Sequence, residues 1–188
     1  MNKLTSLTDP SILRNIADNV PDMSSWSKPI HSTEQIDDLL ALVIEEISSL
    51  ENIVVHAEMR SYGSGYASYF HVHCNKPDDL VAPAEGAKTI QGLTIYFCRL
   101  FPVFVFGPEF RYLDRNGIAT SFLEIDRIEE LPPGEWTKAF SEILLITDRH
   151  GLEVLPKSMR ETLVPSDIVW ESNFNTKTVF DLLFHWLD

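Results

Sequence analysis

The sequence predicts an α+β fold in which one antiparallel meander sheet of roughly five to six strands is packed by N-terminal, central and C-terminal helices. Three observations carry this. From Ile90 to Ile125 the chain runs through successive stretches of β-branched and aromatic residues, a composition suited to a pleated, half-buried surface. Between Thr33 and Leu50, Ile36, Leu39, Leu40, Val43, Ile44, Ile47 and Leu50 recur at the three-and-four spacing of one helical stripe. Asn116-Gly117, set between Phe110–Asp114 and Ile118–Ile125, is a strong signal for a two-residue hairpin turn. The 188 residues show no shift in composition, so a single domain over 1–188 is expected.

Taken in order, Asp9 and Pro10 suit an N-cap and first helical position, opening a short helix to about Asn19. Residues Val20 to Ser32, punctuated by two prolines, form a connection anchored by Trp26. The helix from Thr33 starts on a capping box of Ser32 and Gln35. Asn52–Ser61 and Ala67–Cys74 read as a hairpin through Tyr62-Gly-Ser-Gly-Tyr66. Pairing across Ser64 and Gly65 sets Ile53, Val55, Ala57 and Met59 on one side with Phe70, Val72 and Cys74. His56, Glu58, Arg60, Tyr69, His71 and His73 then share the other side.

Asn75 to Lys88 reads as a polar loop, and Ile90–Cys98, Val103–Phe106, Phe110–Leu113 and Ile118–Ile125 as the central strands. Glu135–Arg149 is a helix with Trp136, Ala139, Phe140, Ile143 and Leu144 inward and Gly151 as its stop. A short helix is placed near Ser158–Thr162. A last one over Thr178–Asp188, capped by Asn175 or Thr176, is apolar in nearly every direction and must be docked.

Acids outnumber bases 28 to 15, giving a formal charge of −13 and a pI near 4.8. That field repels phosphate backbones and favours encounter with a basic protein, so no nucleic-acid partner is expected. Cys74 and Cys98, each within a strand, suit reduced buried thiols, and the first ten residues lack the apolar run of a secretory signal. The apolar window Leu93–Phe106 is too short for a bilayer span and holds Arg99 and Pro102. A soluble cytoplasmic protein with no membrane partner follows as the expectation.

Two clusters suggest chemistry. The polar face of the helix from Thr33 carries Glu34, Asp37, Asp38, Glu45 and Glu46, with no Lys or Arg between Lys28 and Arg60. Such a face is either solvated or a surface for a basic partner, with Tyr62 and Tyr66 at the neighbouring hairpin tip as aromatic contacts. On the hairpin, His56, Glu58, His71 and His73 share one side, where imidazole and carboxylate could ligate a divalent ion. The bland alternative is an ordinary solvated strand face beside Arg60.

Other signatures fail. A nucleophile elbow at Ser64 needs glycines where Tyr62 and Tyr66 stand, and Cys74 and Cys98 point to apolar surroundings. With no dinucleotide, Walker or zincin motif, no cofactor is expected.

The acid-faced helix Glu34–Leu50, the Asp114-Arg-Asn-Gly117 hairpin, Pro132-Pro-Gly-Glu-Trp136 opening a helix and the closing Val179-Phe-Asp-Leu-Leu-Phe-His-Trp186 together make the chain resemble the small acidic immunity proteins of bacterial polymorphic toxins. The likeness lies in the plan of the chain and transfers no functional residue. It implies a non-enzymatic cytoplasmic protein that binds and neutralises a basic toxin domain, as monomer or homodimer. The alternative expectation is a metal-dependent enzyme or metal-binding protein using His56, Glu58, His71 and His73.

Overall fold

Alternating patterning requires the apolar side of each strand to be covered, and both faces of this sheet are. The computed structural model describes residues 3–59, 66–77, 80–81, 88–114, 117–120, 123–171 and 177–187. In chain order the elements are a 3-10 turn at Lys3–Thr8, α1 (Pro10–Ala17), a 3-10 turn at Met23–Ser25, α2 (Thr33–Ser48), β1 (Val54–Glu58), β2 (Tyr66–Ala67), β3 (Tyr69–Asn75) and β4 (Leu80–Val81). These are followed by β5 (Lys88–Cys98), β6 (Val103–Asp114), β7 (Gly117–Thr120), a 3-10 turn at Ile125–Arg127, α3 (Thr137–Arg149), β8 (Glu153–Val154), α4 (Lys157–Arg160), α5 (Val179–Leu183) and β9 (Trp186–Leu187).

The main sheet runs β1-β3-β5-β6-β7, with β4 extending the β3 edge of β5 and β8 lying parallel on the β7 edge of β6. It is α+β and mostly antiparallel, as its sequence implies. The hairpin register is the expected one: His56 faces His73 and Glu58 faces His71. Alternation sends Phe70, Val72 and Cys74 with Leu93, Ile95, Phe97, Phe104 and Phe106 to a core under α2 and α3. The opposite side, with Tyr69, Tyr96, Cys98, Val103 and Val105, packs against α1, α5 and the first 3-10 turn.

Several expectations are corrected. Val103–Phe106 and Phe110–Leu113 form one strand running through Gly107-Pro108. The carbonyls of Phe104 and Phe106 accept from Leu155 and Glu129, so even-numbered residues point their backbone away from β5. Pro108 is in that phase, between the stretches paired to β7 and β8, and its missing N–H breaks no ladder bond to β5. The segment after Asn75 is not wholly loop, because it contributes β4.

The strand after Asn116-Gly117 is β7 at Gly117–Thr120, residues 121–122 lie outside the described residues, and Ile125 starts a 3-10 turn instead of closing the strand. The turn residues 115–116 lie outside the described residues, although β6 and β7 pair across them from Asp114 to Gly117. Gln35 reaches past Ser32 to accept from the His31 amide at 2.7 Å, so only the Ser32 half of the expected box is made. The last helix is shorter than its apolar run suggests. Thr178 and Asp181 form its capping box, α5 ends at Leu183, and the chain extends into β9 against β2.

Candidate functional site

The 3.6-residue period of α2 buries Ile36, Leu40, Val43 and Ile47 completely and turns Glu34, Asp38, Leu42 and Glu45 outward. These four, with Ser49, form one continuous ridge at three-and-four spacing. Glu34, Asp38 and Glu45 have no ion-pair partner among the described residues. Asp37 and Glu46, on the flanks, are already used. Arg99, from the β5–β6 turn, grips Asp37 with both ends of its guanidinium, Nε to Oδ1 at 2.8 Å and Nη2 to Oδ2 at 2.7 Å. Glu46 accepts from Arg149 at 2.6 Å and pairs with His150 at 2.9 Å, and the His150 hydrogen bond holds its carboxyl below the usual carboxylate range.

Tyr66 is no exposed tip. It is half-buried at the start of β2, its ring centroid 5.5 Å from the Arg99 guanidinium, with Phe70 at 5.4 Å from the same group. Burial pushes its phenol up to about 12. Tyr62 lies outside the described residues.

Beside the ridge, α2 and α3 diverge into an open groove of about 710 Å³. Leu50, Ile146 and Leu145 give it an apolar lining, Leu145 being 67% exposed, and Glu46, Glu142 and Asp148 supply acids against the single Arg149. Sequence reading missed this half of the surface. It took Leu144 as inward and gave Leu145 no role, whereas packing against α2 leaves Leu145 in solvent.

On the other face of the sheet the two histidines of β3 are buried, not solvated, while His56 and Glu58 on β1 are half-buried. His71 and His73 are each more than nine-tenths buried, and the registers β3–β5–β6 bring them over Thr94 and Glu109. His71 Nε2 lies 3.0 Å from Glu109 Oε2, the Thr94 hydroxyl donates closely to the same oxygen, and His73 Nδ1 is 3.3 Å from the Thr94 hydroxyl. Burial drives the Glu109 carboxyl upward, but the hydrogen bonds from His71 and His73 outweigh it and bring it down to about 2. Burial pushes the His73 imidazole below its ordinary value.

Glu58 is drawn to Arg111 at 3.7 Å. His56 stays half-buried opposite His73. Among the described residues no group of three or more His, Cys, Asp or Glu side chains is arranged to hold a metal. Glu109 and Arg111 were missed because the sequence reading broke β6 at Phe106, and alternation carried through Gly107-Pro108 puts both in phase with Val105; Thr94, inside an expected strand, was missed because the β3–β5 register that sets it opposite His73 leaves no local signal.

Such a cluster can hold a proton in place, but its members are closed off. Leu123 and the Arg127 carbonyl lie against Gly107, and Tyr96 crosses His71 edge-on at 5.0 Å while its hydroxyl accepts from the Leu123 amide at 3.0 Å. Both cysteines are buried and free, with thiols pushed up to about 12 by burial. Among the described residues no helix is long and apolar enough to cross a membrane. The chain matches no protein-family profile, no curated protein and no solved structure.

Proposed function

We propose that this protein is a non-enzymatic binding protein that captures a basic protein partner on the α2 ridge and the adjoining α2–α3 groove, acting as an immunity protein that neutralises a bacterial toxin domain. The observation that carries the reading is the ridge itself: Glu34, Asp38 and Glu45, exposed around the exposed Leu42 and free of ion-pair partners among the described residues, in a chain of formal charge −13. Uncompensated carboxylates bordering an apolar groove suit an interface with charge at its rim and a greasy centre, and they accelerate encounter with a positive surface. The burial of His71, His73 and Glu109 weighs against the metal-enzyme alternative, since their side chains are closed to solvent.

The test is affinity capture from the native host, with the untagged terminus free and the ionic strength varied. A stoichiometric basic protein is expected, released by rising salt. Glu34→Lys, Asp38→Lys and Glu45→Lys combined should weaken its capture by at least about tenfold, whereas the exposed Glu171→Lys should not. Equal capture by the triple variant at low salt, or a partner that is itself acidic, rejects the proposal.

A further inference from the structure

Among the described residues β1 pairs with β3 on one side and with no strand on the other. The phase of the ladder identifies the backbone groups left over, because successive residues of an antiparallel strand bond alternately to its two neighbours. Even residues of β6 turn away from β5, toward the Leu155 and Glu129 amides, so its odd residues bond β5. Carried through the registers, odd residues of β5 and even residues of β3 bond each other, and the Arg99 amide on the Ser68 carbonyl at 2.8 Å keeps that phase. Odd residues of β3 then bond β1 through Val54, His56 and Glu58. Val55 and Ala57 are left with N–H and C=O pointing outward, without a hydrogen-bond partner among the described residues. Edge strands are commonly guarded by a lysine, a proline or a bulge; β1 has none, and its register runs unbroken from Val54–Asn75 to Glu58–His71. Met59, next in the outward phase, is 42% exposed, and the Glu58 side chain, within 3.7 Å of Arg111, is 39% exposed.

We propose that β1 pairs with β1 of a second copy of this chain, antiparallel about a twofold axis at Ala57, making one sheet continuous across both copies. Outward groups must meet outward groups, which leaves three registers to compare. An axis at Val55 calls on the Ile53 amide, already given to the Leu50 carbonyl at 3.4 Å. An axis at His56 sets imidazole against imidazole and leaves Glu58 opposite Val54. An axis at Ala57 sets His56 opposite Glu58 of the second copy, twice over, on one side of the sheet. On the other side it sets Val55 opposite Met59, covering an exposed apolar side chain. The β1 sequence is thus complementary to itself in one register. The contact is one short strand wide, below the area of about 1,200 Å² of a standard interface, so the dimer is weak and reversible. Two chains at −13 repel at long range, so salt tightens this contact, whereas it loosens capture of a basic partner on the α2 ridge.

The test is sedimentation equilibrium of the full chain at pH 7 and 25 °C, with concentration raised to about 1 mM and salt varied. A reversible monomer–dimer equilibrium is expected, with a dissociation constant between about 10 and about 500 µM that falls as salt rises. Ala57→Pro removes an outward N–H that serves no bond within the chain, and it should weaken dimerisation by at least about tenfold. His56→Glu sets carboxylates opposite each other and should weaken it by a similar factor. Adding Glu58→His to that variant restores unlike pairs and should recover most of the affinity, which keeps the proposal testable if Ala57→Pro does not fold. A chain monomeric at about 1 mM in every salt, undiminished dimerisation by folded Ala57→Pro, or no recovery in the exchanged pair overturns the proposal.

Discussion

Gly92 illustrates how one missing side chain fixes the position of a functional group. A Cβ there would lie 2.6 Å from His73 Nε2 and still closer to the Cys74 carbonyl, a backbone atom that cannot swing away. Gly92→Ala is therefore expected to destabilise the fold by about 1–3 kcal/mol through overpacking, measured as a lower urea midpoint at unchanged slope. The buried imidazoles set a pH dependence of definite sign. Burial holds His73 and His185 below the ordinary imidazole value of 6.5, so the unfolded chain takes up these protons first. Stability from neutral burial is complete above that pH and drains away as pH falls through and below it, at up to about 1.4 kcal/mol per pH unit for each group. Glu109 adds to the loss only in stronger acid, between its ordinary range and about 2. Urea midpoints measured between pH 7.5 and 5 should fall, and His185→Gln should flatten the fall; an unchanged slope in that variant would show that His185 titrates normally.

At the scale of elements, the closing strand depends on a clasp at Ser68. Its hydroxyl lies 2.9 Å from the carbonyls of Leu183 and His185 and accepts from the His185 amide at 2.9 Å, while its own amide donates to the His185 carbonyl at 3.0 Å. Ser68→Ala strips buried backbone groups of partners, so a loss of about 1–3 kcal/mol is expected. Faster amide exchange confined to residues 66–68 and 184–187 would report it; exchange spread evenly over the sheet would mean that β2–β9 is not a separate unit. This clasp also marks the boundary of what the sequence disclosed. The cap of α1 at Asp9, the α2 stripe and the β1–β3 register were legible because their signals are local, repeating every two or three to four residues. The Ser68–His185 pairing spans 117 residues and the Asp37–Arg99 pair 62, and such separations leave no period to read. The cover over the second face was hidden for the same reason: alternation says that His71 and His73 share a side, but not whether helices close over it.

Charge is the property of the whole molecule that ties these scales together, and it divides the acids of α2 into two kinds. Asp37 and Glu46 bind the helix to Arg99 and to the end of α3, so Asp37→Asn should destabilise the protein by leaving a half-buried guanidinium without its carboxylate. Glu34, in the first turn, is favoured in its ionised form by hydrogen bonds from its own amide and Ser32, whereas Asp38 and Glu45 sit in the field of a chain at −13, and their removal should relieve the fold. The two kinds separate in a salt titration. Raising ionic strength from about 0.01 to about 0.15 M shortens the screening length from about 30 to about 8 Å, weakening repulsion across the ridge more than the close, partly buried pairs. The melting temperature of the native chain should rise over that interval. In the variant carrying Asp38→Lys and Glu45→Lys it should start higher and rise less. A double variant that melts lower at low salt would mean that these two carboxylates serve the fold after all, and the ridge would lose its standing as a surface held ready for a partner.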